Sequence, residues 1–443
     1  MRRADLSPLV VERATDSILD TAAVTIAGAR EPAVRIAREI VEAEGARPVA
    51  SQLGGTFRGS EGQAALLNGI AGHVLDYDDV SWEILGHPSA VVLPAVLAVA
   101  EATKASGSRA LTAYVVGIEV MSKVARALGP RHYESGWHMT ATAGTIGAAM
   151  AASSVLGLDA PHAAHALAIA VSLASGTRQN FGSMTKSLHV GHAASAGIRA
   201  ARLARGGFTG NAEAIEGRQG YFALLSSESD AAAIGVLGEP YELASPGLSY
   251  KMFPACYGAH RGIQATLEVA ARDGIRAPDV TAIRVSAPAT ELDPLVDGIP
   301  TTGLEGKFSM AYAVAAALLD GKVGLATFTD EMVRRPEAQA LMRHVTVETQ
   351  PEAATRVEAG QGRVDVAVTT RDGRAHDASV AHPPGSPGAP LTRADLVAKL
   401  TDCAGPALGD RGVRDLIHAV EGLDRASNVD ALLESARPAP VAV

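Results

Sequence analysis

His73-Val-Leu-Asp-Tyr-Asp-Asp-Val-Ser-Trp-Glu-Ile-Leu-Gly-His-Pro-Ser89 joins two apolar, alanine-rich runs. Both runs, 61–75 and 90–105, read as buried helices. Between them the chain places Asp76, Asp78, Asp79, Glu83, Tyr77, His73 and His87. Burying charge is costly unless it is paired or used. This junction therefore implies a helical body with chemistry where two core helices meet.

The helical texture extends both ways. Ser7-Pro8 is a hydroxyl cap followed by proline, a good helix start. Val10, Ala14, Ile18, Ala22 and Ile26 then keep helical spacing to Gly28. Glu31-Pro32 opens a second helix to about Gly45, and the polar, Gly-rich residues 46–60 form a loop. Further helices are predicted at 109–128, 140–156, 160–175 and 190–206. Their inner faces are alanine and glycine, as in Gly144-Thr-Ile-Gly-Ala-Ala-Met-Ala-Ala-Ser153. No period of 20–50 residues repeats, so a solenoid is not indicated.

After about residue 250 the pattern changes. Thr281-Ala-Ile-Arg-Val-Ser-Ala287 and His344-Val-Thr-Val-Glu348 alternate like strands. Arg363 to Val380 reads as a hairpin around Asp372-Gly373. Helices at 259–272 and 308–320 lie among these strands. His382-Pro-Pro-Gly-Ser-Pro-Gly-Ala-Pro390 is a linker, and Thr392 caps a return to helix that runs to about residue 436. The pattern predicts a large helical domain, an α/β module and a helical C-terminus, with a ligand cleft between domains.

Composition narrows the function. A chain of 443 residues with 47% apolar and only 4% aromatic residues suits closely packed helices in two or three domains. Net charge is 39 − 48 = −9 with no basic stripe, which argues against a nucleic-acid partner. No apolar run reaches the length of a membrane span without polar interruption, so no membrane partner is expected. The first residues lack the apolar core of a signal peptide. Two distant cysteines, Cys256 and Cys403, suggest no disulfide framework and a reducing cytoplasm. They also cannot supply the usual thiolate set of an iron–sulfur cluster.

Six segments carry chemistry, two of them within that junction. Asp76-Tyr-Asp-Asp79 ends a helix, where negative charge opposes the dipole. A divalent cation is one reading, but no second carboxylate cluster completes its shell. His87 and His138 each stand at the mouth of a helix, beside an anion-friendly terminus; a loop or capping histidine is the plainer alternative. Arg178-Gln-Asn-Phe-Gly-Ser-Met-Thr-Lys-Ser-Leu-His189 combines Arg178, Lys186 and His189 with amides and hydroxyls, a set suited to a small polycarboxylate. Lys251 and His260-Arg261 add positive charge where the texture changes. Cys256 reads as a small buried hydrophobe rather than a nucleophile. Tyr312, in Lys307-Phe-Ser-Met-Ala-Tyr312, is a candidate proton donor, with packing as its alternative.

Together these segments resemble the MmgE/PrpD family. The matching stretches are Asp76-Tyr-Asp-Asp79, Gly86-His-Pro-Ser89, Gly136-Trp-His138, Met184-Thr-Lys-Ser-Leu-His189, Lys251-Met-Phe-Pro-Ala-Cys256 and Lys307 to Gly321, in the family's order. The resemblance implies a mostly α fold. An all-helical domain would be built from both chain ends, 1–250 plus 390–443, with an α/β (α+β) lid domain inserted at 251–389. It implies a homodimer without metal or cofactor. It also implies a lyase for a small di- or tricarboxylate, a 2-methylcitrate-type dehydratase or cis-aconitate-type decarboxylase, with an iminodisuccinate-type epimerase as the alternative. A non-catalytic helical ligand-binding protein is the reading from another class. His87, His138, Lys186 and Tyr312 are the expected catalytic residues. Asp76, Arg178, Lys251 and His189 are expected to bind substrate. Histidine serves as base or acid near neutral pH, and cations stabilise a carbanion beside a carboxylate.

Overall fold

The structure is a computed structural model that describes residues 3–82, 84–351 and 362–438; Glu83 lies outside them. Ser7 caps α1 (Pro8–Gly28), its hydroxyl accepting from the Val10 amide at 3.3 Å. α2 (Pro32–Glu44) follows. The expected loop at 46–60 contains two short paired strands, β1 (Ala50–Ser51) and β2 (Arg58–Gly59). A Ser60–Gln63 capping box starts α3 (Glu61–Val74). Then come α4 (Pro88–Thr103), α5 (Gly107–Glu134), α6 (Met139–Leu156), α7 (Ala160–Leu173) and α8 (Met184–Arg205). α5 is broken at Gly129, whose φ of 68° precedes Pro130.

α6 is the hub, packed against α4, α5, α7 and α8. Its small side chains let the neighbours close in. By length and composition Met139–Leu156 could cross a membrane, which corrects the expectation that no run qualifies. Its threonines carry no charge, so they do not interrupt the run. Here 83% of that window is buried inside the protein.

α8 begins six residues earlier than its apolar pattern suggests. Lys186 and His189 therefore lie on a helix, not in the loop before it. α8 crosses α3 at Gly69 and Gly191. A Cβ on Gly191 would stand 2.2 Å from the Leu66 carbonyl oxygen, so only glycine permits this approach.

The α/β part is built on a four-stranded sheet: β3 (Val280–Ala287), β4 (Val345–Thr349), β5 (Val364–Thr370) and β6 (Ala375–Val380), in the order β4-β3-β5-β6. β3 is parallel to β4 and antiparallel to β5, and β5–β6 is the expected hairpin. Alternate residues Val364, Val366 and Val368 point to the core. Helices His260–Asp273 and Met310–Asp320 pack beside the sheet.

Two main apolar clusters result. One runs from Leu6 to Leu248 and takes in Leu396 to Ala436; the other runs from Phe253 to Val380. Thr392 caps the Arg393–Glu421 helix with Asp395. That helix lies along α1 and sends Lys399 inward, its Nζ 2.7 Å from Asp20 Oδ1 and donating to the Tyr77 carbonyl at 2.9 Å. The C-terminal segment thereby braces the residue next to Asp76.

Candidate active site

Three helix N-termini converge at the junction. His87 is the N-cap of α4, His138 the N-cap of α6, and Lys186 lies in the first turn of α8. A lysine at a helix N-terminus opposes the dipole, so the place favours an anion.

That anion is Asp76. α3 ends at Val74, and Asp76 turns back with φ +50°, a region aspartate tolerates better than most residues. Its Oδ1 accepts from Lys186 Nζ at 2.8 Å and lies 3.1 Å from Lys251 Nζ. Lys251 Nζ also donates to the Asp76 carbonyl at 2.9 Å. Burial would raise the Asp76 carboxyl; Lys186 and Lys251 overturn this and hold it well below the usual carboxylate range. The second oxygen, Oδ2, is buried without a partner.

Behind it, His73 Nδ1 lies 2.8 Å from Asp78 Oδ2. Burial holds His73 down at about 4, with Asp78 opposing. The neutral imidazole therefore donates from Nδ1 to an ionised Asp78. His73 Nε2, like Asp76 Oδ2, is buried and unpartnered. His87 Nδ1 lies 2.9 Å from the Asp79 carbonyl, which can only accept, so Nδ1 carries the proton. Burial lowers His87 as well, against the pull of Asp78. The His73 and His87 ring centroids are 4.6 Å apart, and those of His73 and His138 6.1 Å. Burial, then Lys186 and the neighbouring imidazoles, keep His138 well below its ordinary value.

Asp79 faces away. It accepts from the Ser89 hydroxyl, which in turn meets the Tyr114 hydroxyl at 2.5 Å. Burial raises Asp79 to about 8.

A narrow cleft lies before Asp76, lined by His73, Lys186, Ser183, Leu304, Lys307 and Phe308 among others. Its free room is about 10 Å³, no more than about one water. The arrangement is closed, and segments 182–187 and 304–308 must part to admit a polycarboxylate.

Lys307 is the residue that sequence reasoning passed over. Its Nζ donates to the Leu75 carbonyl at 2.7 Å and the Pro254 carbonyl at 2.8 Å, tying the segments that carry Asp76 and Lys251. Burial pushes it down to about 7, with Asp76 opposing. Its position at the head of the Lys307–Tyr312 motif was the available signal. His73 and Asp78 were also visible in the junction stretch but carried no assigned role.

The fold brings Asp76, His87, His138, His189, Lys186 and Lys251 together. It does not bring Tyr312 or Arg178 to the cleft. Tyr312 is fully buried in the α/β core, donating to the Thr327 carbonyl at 2.5 Å and packing on Phe328. Arg178 stacks over Tyr133 at 3.8 Å and pairs with Asp293 at 2.7 Å beside a separate, open cavity. Cys256 is buried and its thiol is pushed up to about 11, in keeping with a packing role.

One ligand atom each from His73, Asp76, Asp78 and His87 lie within 4.8 Å of one another, so two histidines join the acidic run that the sequence already offered to a divalent cation. Two lysine ammonium groups already occupy the cation positions beside Asp76, which makes the set a poor match for a metal ion.

The model of the MmgE/PrpD N-terminal domain matches residues 1–233, and that of the C-terminal domain matches 253–425. The chain belongs to the MmgE/PrpD family. Relatives include the cis-aconitate decarboxylase of Homo sapiens, 30% identical over 99% of this chain and 93% of that protein. The Mus musculus enzyme of the same name is 31% identical over 85% of this chain and 78% of its own. That of Aspergillus terreus is 26% identical over 84% and 80%. In this MmgE/PrpD chain the family's motifs thus meet at the junction of α3, α4, α6 and α8.

Proposed function

We propose that this protein is a cofactor-independent lyase that decarboxylates a cis-aconitate-type tricarboxylate. The observation that carries this reading is the convergence of Lys186 and Lys251 on one buried carboxylate, Asp76, at a cleft lined by His73 and Lys307, with the His138 ring 6.1 Å from that of His73. The names of the relatives point the same way. Dehydration of a methylcitrate-like acid is the second reading, since the same cations would stabilise the same kind of carbanion. The relatives lend no support to epimerisation.

Loss of CO2 leaves an electron pair that spreads through the adjacent double bond onto a second carboxylate. The lysines hold the substrate carboxylates and stabilise that charge. Burial and the Lys186 charge hold His138 well below its ordinary value. A bound trianion brings negative charge beside it and reverses that balance, favouring the protonated imidazole. His138 then delivers one proton to carbon as CO2 leaves, and His87 orients the substrate from the opposite wall. The α/β part serves as the lid that closes the cleft, and the working unit is a homodimer.

Turnover on cis-aconitate, methylcitrate and iminodisuccinate, followed by proton NMR, tests the reading. Loss of CO2 from cis-aconitate supports it. Water loss from methylcitrate alone favours the second reading, and inertness towards all three favours a binding protein.

A further inference from the structure

The closed cleft poses a problem for the proposed decarboxylation. Each turnover consumes one proton, because a trianion becomes a dianion plus CO2. Yet His138 is buried, and the cleft has room for no more than about one water. While the cleft is closed, bulk solvent does not reach the group that must be recharged.

His138 has one polar neighbour that reaches outward. Its Nδ1 lies 3.1 Å from Nδ1 of His189, a hydrogen bond between two imidazoles. His189 lies one turn beyond Lys186 on α8 and is half-buried, and His192, on the same helix, is exposed. The ring centroids of His138 and His189 are 5.3 Å apart. The other face of His138 is sealed by the edge-on Phe181 ring at 5.0 Å.

We propose that His189 is a proton-relay residue, passing solvent protons through its Nδ1 contact to His138 rather than binding substrate. This rests on the decarboxylase reading. A proton from buffer or water adds to Nε2 of His189. The proton on His189 Nδ1 moves to Nδ1 of His138, and His138 releases one from Nε2 to the substrate carbon. One proton enters and one leaves, with no redox change. Lys186 and His192 face His189 from its own helix, and His138 faces it from α6. Burial, Lys186 and His192 all lower His189, so both imidazoles are neutral before substrate arrives and each can accept a proton.

The test uses His189→Ala and His189→Gln with cis-aconitate in about 1 mM and then about 50 mM imidazole buffer. Glutamine keeps a hydrogen-bonding group but cannot relay. Both variants are expected to lose about 10²-fold in kcat in dilute buffer. Imidazole should restore kcat in the alanine variant in proportion to its concentration, with KM unchanged. A kcat that is unchanged, or that imidazole does not restore, overturns the relay. If the wild type itself releases no CO2, the decarboxylase reading fails and the relay falls with it; if only the rescue fails, that reading stands.

Discussion

Lys307 shows how much a single buried cation can organise. Two carbonyls from separate segments, Leu75 and Pro254, meet at its ammonium group. Because burial holds it down at about 7, it loses its proton in the free enzyme just above neutrality. kcat/KM reports free-enzyme ionisations, so the wild-type profile should fall above about pH 7. Lys307→Arg should move that limb upward, and Lys307→Met should lower kcat/KM by about 10²-fold below about pH 7, the gap to wild type narrowing as pH rises above it. Asp79 gives a stability test with a defined sign. Its folded value is raised from the ordinary 3.8 to about 8, so its contribution is complete below about pH 4 and lost as pH rises through 8. Relative to Asp79→Asn, wild-type stability in urea should fall by at most about 1.4 kcal/mol per pH unit between those limits, then level off.

At the scale of elements, the packing of α3 on α8 fixes where Lys186 and His189 stand. Gly191→Ala places a methyl group against the Leu66 carbonyl, which cannot move without bending α3. It should cost about 1–3 kcal/mol by urea denaturation. Most helices were legible, because alanine-rich faces and caps such as Ser7, Ser60 and Thr392 are local signals. The start of α8 was not. Its first turn, Met184-Thr-Lys-Ser, is polar because it faces a charged cleft, so apolar periodicity missed it. The pairing of β3 with both β4 and β5 depends on contacts more than 60 residues apart in sequence, which no local pattern encodes.

At the scale of the molecule, the site lies where the two apolar clusters meet. Lys307, Tyr77 and Arg178 each bridge them: Tyr77 donates to the Met252 carbonyl at 3.2 Å, and Arg178 pairs with Asp293. Asp293 is half-exposed, so this pair contributes at most about 1 kcal/mol. Asp293→Ala should therefore leave Tm nearly unchanged while speeding amide exchange in 304–308 and 181–187, as the cleft opens more often. The residue types of the site could be read from sequence, since histidines, lysines and aspartates in apolar surroundings stand out. Their destinations could not: Tyr312 and Arg178 have the right chemistry, but a backbone carbonyl and Asp293 claim them first. Lys186 grips the substrate beside Asp76 in this mechanism, and the decisive measurement is the rate of CO2 release from cis-aconitate by Lys186→Met. A fall of about 10²–10³-fold, with the thermal melt intact, is expected; release within twofold of the wild-type rate would contradict it.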